Sequence, residues 1–235
     1  MTRRRSLAAM AAVLTAGGLL AVQLTTAQQP PRDPGPDPFL GLNDDAKKQA
    51  MQRASAAEDT RQAAFVKSFA SGNRDARSLR REKINVFNAM EASTLVEAAA
   101  LSPVIVRARV VRTDFNFSTL VGGAHVTAKV LETLKGSTGD EVRIQQMGGP
   151  MLVGADEILA EAEMDPIMLP GDEVLLFLVA DDALKSTGEL RVLSGPGQYR
   201  LVGGLVQATG VNPFASEVVG LTASAFAERI RSHVK

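Results

Sequence analysis

Residues 174–179 are six large apolar residues in unbroken succession (Val-Leu-Leu-Phe-Leu-Val), opened by a Pro170-Gly171 turn and by Asp172 and Glu173. The run is apolar on both faces and too short for a core helix, so it predicts a strand covered on both sides. Shorter, alternating segments surround it. Residues 103–113 put Val104, Val106, Ala108 and Val110 on one side and Ile105, Arg107, Arg109 and Val111 on the other, the two-residue period of a strand. Residues 125–134 repeat the pattern, with Val126, Ala128, Val130, Glu132 and Leu134 on one face. A Gly-containing turn at 135–140 leads into 141–147, where Val142 and Ile144 alternate with Glu141, Arg143 and Gln145. Further strands are predicted at 189–193, 198–202 and 205–209. Gly148-Gly149-Pro150 and Gly195-Pro196-Gly197 read as turns joining strands, and 155–164 as a short helix or a long loop. Five to seven short strands at this spacing predict a small barrel or a curled sheet.

Helical periodicity frames these strands. Asn43 is placed to cap a helix whose first turn holds Asp44 and Asp45, running to about Phe69 and stopping at Gly72-Asn73. Its apolar side is thin, with Met51, Phe65, Val66 and Phe69 the only large residues on it, so part of it is expected to stand in solvent. A second helix is predicted over 75–91, with Leu79, Val86, Phe87 and Met90 as its stripe. Thr94 and Glu97 fit a capping box for a short helix ended by Ser102-Pro103. Thr222 caps a closing amphipathic helix through Val234, with Phe226 and Ile230 four residues apart.

The N-terminus changes the compartment expected. Arg3-Arg4-Arg5, an apolar stretch over 7–24 and small residues at 25–27 have the three parts of a secretory leader cleaved after Ala27; retained, it would be a membrane anchor. The arginine string also resembles a twin-arginine export signal. Five prolines in 28–42 make an extended linker. The expected divisions are a leader at 1–27, a linker at 28–42, a helical segment at 43–92, a barrel at 93–210 and a C-terminal helix at 211–235. The 26 basic and 26 acidic residues balance, and loss of Arg3, Arg4 and Arg5 leaves a small negative excess, without the broad positive field of a nucleic-acid binder.

Candidate chemistry is sparse. The absence of cysteine rules out disulfides, thiol catalysis and thiolate metal sites. No H-E-x-x-H, G-x-S-x-G, P-loop, G-x-G-x-x-G or EF-hand pattern occurs. His125 and His233 read as surface histidines, and Tyr199 as a core or interface residue with its hydroxyl at the rim. Asp156, Glu157, Glu161, Glu163, Asp165, Asp172 and Glu173 cluster in sequence; their spacing matches no calcium loop, and aromatics, at 4%, are few for a glycosidase cleft. Arg74, Arg77, Arg80, Arg81 and Lys83 suit either an anionic contact or a solvated face. No catalytic, cofactor or metal residue is assigned.

Four strings carry a resemblance: Ser-Pro-Val-Ile-Val-Arg-Ala-Arg-Val at 102–110, Val-Leu-Glu-Thr-Leu-Lys-Gly at 130–136, Pro-Gly-Asp-Glu-Val-Leu-Leu-Phe-Leu at 170–178, and Tyr-Arg-Leu-Val-Gly at 199–203. Together they resemble an uncharacterised β-barrel module of secreted bacterial proteins. The first half is similar to the netrin-like, OB-type barrels of metalloproteinase inhibitors, over roughly half of the mature chain. Those inhibitors chelate the protease zinc through an N-terminal cysteine, which this chain lacks, so no functional residue transfers. The resemblance implies a mainly β protein with flanking helices (α+β): a small OB-like barrel, closed or partly open, preceded by two N-terminal helices and followed by a C-terminal one. The expected function is that of an exported, non-enzymatic binding module, secreted or periplasmic, without cofactor. Its partner would be an extracellular or periplasmic protein or an envelope polymer, and it would touch membrane only through an uncleaved leader. A protease-directed inhibitor or accessory protein, and a hydrolase or metal enzyme built on the loop carboxylates and His125, are the alternatives. N-terminal sequencing of the exported product is expected to start at Gln28; a start at the initiating residues would mean a retained leader.

Overall fold

The computed structural model describes residues 23–24, 44–70, 74–85, 91–116 and 123–233. The leader apart from 23–24, the linker, the Asn43 cap, the Gly72-Asn73 stop and residues 86–90 lie outside these. In chain order the elements are β1 (Gln23–Leu24), α1 (Asp44–Ala70), β2 (Arg80–Asn85), α2 (Leu95–Leu101), β3 (Val104–Asn116), β4 (Gly123–Lys135) and β5 (Glu141–Val153). They continue with β6 (Asp156–Ala162), β7 (Glu173–Ala180), β8 (Leu190–Val192), β9 (Gln198–Val202), β10 (Leu205–Ala208), α3 (Ala215–Val218) and α4 (Ala223–His233).

Five strands close on themselves. β3 pairs antiparallel with β4, β4 with β5, β7 with β8, and β7 with β3, while β5 and β8 seal the barrel in parallel. The result is a small closed mixed β-barrel, mainly β with helices at both ends. Its interior is packed with Val106, Ala108, Val110, Val126, Ala128, Val142, Ile144, Val174, Leu176, Leu178 and Val192. These are the inward positions that the alternation of β3, β4 and β5 requires.

The 174–179 run lies in β7 and is buried on both sides, as its unbroken apolar character predicts. Val174, Leu176 and Leu178 face the barrel interior. Leu175, Phe177 and Val179 face outward into a second core built from α2, α4, Tyr199, Val206, Phe214 and Val218. Phe177, Tyr199 and Phe226 form a triangle of tilted and edge-to-face rings with centroids 5.0–6.4 Å apart, a geometry that suits the aromatic quadrupoles. The helices over this face are capped as expected. Thr94 accepts from the Glu97 N–H, while Glu97 reaches back to the Ser93 N–H (2.8 Å), one residue before the N-cap, instead of to Thr94 itself. Thr222 accepts from Ala225 N–H at the start of α4.

The N-terminal region departs from expectation. One N-terminal helix is present among the described residues, not two: after a 3₁₀ turn at Ala76–Ser78 the chain forms β2, parallel to β6. Arginine, glutamate and lysine are good helix formers, but hydrogen bonding to β6 and burial of Ile84 override that preference. Residues 155–164, expected as helix or loop, hold β6 instead, which pairs antiparallel with the far half of β5. Leu159 of β6 packs under α1, and Ile158 and Ala160 pack against Ile84. Gly148-Gly149-Pro150 is accordingly not a turn between strands. It lies within β5, where the strand leaves β4 at Met147 and takes up β6 at Gly148. Gly148 has φ +113°, and a Cβ there would lie 2.2 Å from the Ala160 carbonyl oxygen, so the kink needs glycine. Gly195-Pro196-Gly197 does link β8 to β9, and a Cβ on Gly197 would meet the Leu193 carbonyl oxygen at 2.2 Å.

Helix α1 places its fully buried residues in its last turns. Phe65, Val66 and Phe69 are buried, and Gln62 donates to the Pro150 carbonyl and accepts from the Leu152 N–H. Every residue from Met51 to Arg61 is exposed. Because β7 belongs to two cores, Phe177→Ala is expected to cost about 3–5 kcal/mol by chemical denaturation, whereas Val202→Ala, at an exposed site, should stay within about 0.5 kcal/mol. Equal losses at the two sites would contradict the double burial of β7.

Candidate functional site

The charge runs that stand apart in sequence meet in space. Arg74 pairs with Glu157, Arg77 with Asp172, Arg80 with Glu82 and Asp156, Arg81 with Glu161 and Lys83 with Glu163. The parallel β2–β6 register brings the two runs side by side. Arg74 also lies over the rings of Phe65 and Phe69, 5.2 and 4.9 Å from their centroids, a cation–π arrangement. On the barrel wall, Glu173 accepts from Arg107 and Arg109. Burial pushes its carboxyl up, but the two arginines outweigh burial and hold it below the usual carboxylate range. The seven grouped carboxylates therefore go to different partners, and among the described residues no three His, Asp or Glu side chains converge on a metal-sized site.

His125 is more than a surface histidine. Its Nδ1 lies 2.8 Å from Oε1 of buried Glu189, and its Nε2 lies 2.6 Å from the Asn116 amide nitrogen. An amide donating to Nε2 assigns the ring proton to Nδ1, where it is donated to Glu189. Both ring nitrogens are thereby occupied. Arg143 approaches the same Glu189 oxygen at 3.5 Å. Tyr199 is fully buried instead of reaching the rim, and its hydroxyl accepts from Asn212 (2.8 Å); burial pushes that hydroxyl above its ordinary pKa. The dyad was invisible in sequence because His125 and Glu189 are 64 residues apart.

The outward side chains of β4, β5 and β8 form a polar row. Lys129 stands opposite Glu141, Thr127 opposite Arg143, His125 opposite Gln145, and Gln145 opposite Arg191. All are exposed or half-buried. At the end of the row, where β5 leaves the barrel, lies a cleft of about 470 Å³. Met147, Ala183, Leu184 and Val192 give it apolar walls; Glu91, Gln145, Asp165, Asp181, Arg191 and Ser194 give it polar groups. On the rim Arg191 makes two bonds to Glu91 (2.6 and 2.7 Å) and approaches Asp181 at 3.3 Å. The Arg191 guanidinium, assisted by the Ser194 N–H, holds the Glu91 carboxyl below its usual range despite partial burial.

Also lining the cleft, Asp165 accepts with Oδ1 from Gln146 Nε2 at 2.5 Å. The residue is half-buried and lines the cleft. Burial raises its pKa to about 7; Gln146 and Arg191 pull it down and Glu161 pushes it up. Gln146 holds this position because it also donates to the Pro166 carbonyl and to Gln198 Oε1 and accepts from the Met168 N–H. Of the grouped carboxylates, only Asp165 reaches the cleft, and nothing in its local sequence distinguishes it from its neighbours.

A folded-state pKa above the unfolded value means that the native protein binds the extra proton between about pH 4 and 7. Stability conferred by this group therefore falls as pH rises through that interval and is constant above it. Asp165→Asn keeps an acceptor for Gln146 and is expected to exceed wild type in urea stability at pH 8 by up to on the order of 4 kcal/mol, the gap closing toward pH 4. A gap independent of pH would overturn the assignment. No known protein-family model and no curated protein matches the chain.

Proposed function

We propose that this chain is an exported binding module whose OB-type barrel engages a partner protein through the polar row of β4, β5 and β8 and the cleft at its end. The observation that carries this reading is the convergence of Arg143, His125, Gln145 and Arg191 from three neighbouring strands onto one open surface. β4 and β5 are the second and third strands of the barrel, with a parallel closure between third and last. In OB-type barrels the face of strands two and three, together with the adjoining loops, is where ligands dock. The row carries both signs, Lys129 and Arg143 beside Glu141, which suits a mixed-charge protein surface better than a polyanion. Binding is favoured over turnover because His125 has both nitrogens engaged, and Glu91 and Asp181 on the cleft rim are held by Arg191. The leader-like residues 1–27 support export.

The test uses the full-length tagged protein produced in an exporting host, cross-linked in the envelope and recovered by its tag. An Arg143→Glu, Gln145→Ala double variant should lose the partner that wild type and the α1 control Arg53→Glu retain, by on the order of tenfold or more. Equal recovery by the double variant, with its circular dichroism unchanged, would refute this surface.

A further inference from the structure

Three carboxylates line the cleft, and their oxygens are not equally used. Glu91 accepts from Arg191 with both oxygens, one of them also taking the Ser194 N–H. Asp181 accepts from the Ala183 N–H with one oxygen and faces Arg191 with the other. Asp165 Oδ1 accepts from Gln146. Asp165 Oδ2 alone among them has no donor from the described residues. Arg191 gives its bonds to Glu91, the Val192 carbonyl and Asp181, and acts on Asp165 through its charge. The groups facing the Asp165 carboxyl are Gln146 from β5, Glu161 from β6 and Arg191 from β8, with Glu91 and Asp181 on the rim. With every carboxyl ionised the lining holds more negative than positive charge, and Met147, Leu184 and Val192 give the same cleft apolar wall.

We infer that the cleft is a binding site for a primary alkylammonium group, its charged head on Asp165 Oδ2 and its methylene stem along Met147, Leu184 and Val192. One free oxygen fits a single-point donor. A guanidinium fork prefers two parallel bonds to both oxygens of a carboxylate, and Oδ1 is taken. The stem matters because a lysyl-type chain gains by covering apolar wall while its head is satisfied. A charge-assisted bond in an enclosed site is about twice as strong as a neutral one. The same chemistry is offered by a lysine side chain of a partner or by a free alkylamine. Assignment to a partner's lysine rests on the binding-module reading above; the pocket chemistry itself does not.

The test titrates the full-length protein, ¹³C-labelled at methionine and leucine methyls, with N-acetyl-lysine N-methylamide, its norleucine and arginine counterparts, and n-butylamine. The lysine compound should shift the Met147 and Leu184 methyls. The norleucine and arginine compounds should bind on the order of tenfold more weakly or less. Because the ammonium requires ionised Asp165, affinity in wild type should rise about tenfold from pH 6 to pH 8, and Asp165→Asn should lose both the affinity and that pH dependence. If the variant does not fold, the wild-type pH series decides by itself. A tighter lysine compound than butylamine assigns the site to a side chain of a partner, and equal affinities assign it to free amines. No methyl shift, norleucine or arginine binding as tightly, or a flat pH profile would overturn the inference. Although Gln145 borders both, the cleft is read by ligand-induced methyl shifts and the Arg143–Gln145 surface by partner recovery, so either reading can fail without the other.

Discussion

Burial of both faces of β7 removes six large side chains from water, each gaining about 1.5–3 kcal/mol, and it can be achieved only by putting a layer on either side. The inner layer is the barrel itself, because Val174, Leu176 and Leu178 need the inward rows of β3, β4 and β5 opposite them. The outer layer is α2, α4 and the β9–β10 hairpin, recruited by Leu175, Phe177 and Val179. The arrangement also explains why the polar row lies where it does. With the β7 side of the barrel covered, the wall left open is that of β4, β5 and β8, and polar residues fill its outward positions.

Closing the lower end of such a barrel raises a second problem. Residues 165–172 cross it without regular secondary structure, and a buried backbone must still find hydrogen-bond partners. Side chains supply them. Gln146 and Gln198 serve the Pro166 carbonyl, Gln146 also takes the Met168 N–H, Glu161 takes the Ile167 N–H, Asp172 takes the Leu169 N–H, and Thr113 serves the Met168 carbonyl. Arg200 donates to the Ile167 carbonyl from a position where burial lowers its pKa. Asp165 is drawn into the end of this network by Gln146, and its raised pKa follows from that placement.

What could be read from the sequence follows the range of the physics involved. Local signals held: the alternation of 103–113, the unbroken run at 174–179, the Thr94 and Thr222 caps and the thin apolar side of α1 each report a neighbourhood of a few residues. The strand β2 was misread because Leu79, Val86, Phe87 and Met90 mimic a helical stripe, and only pairing with β6, 78 residues away by Arg80 and Ile158, makes the segment extended. The glycines at 148 and 149 looked like a turn because the sequence shows a flexible backbone but not a change of pairing partner within one strand. The basic run at 74–83 and the acidic run at 156–163 invited separate functions. Their opposite sign is the available clue that the two runs pair with each other, as Arg74, Arg80, Arg81 and Lys83 do.

The candidate site was the least legible part, and for a reason that bears on its function. Asp165, Glu91, Asp181 and Arg191 come from separate segments, and their roles depend on which oxygens are already bonded, a property of packing and not of composition. Folding tolerates a carboxyl whose ionised form is disfavoured by burial. A purely structural role would be met equally well by asparagine, which offers Gln146 the same acceptor without a titrating group. Glu91 and Glu173, also partly buried, are each compensated by arginine, and their pKa values fall. Asp165 has no arginine bonded to it: Gln146 and the charge of Arg191 lower its pKa, but burial outweighs them. The ammonium inferred above would add to the partial offset from Arg191 and favour the ionised form of Asp165.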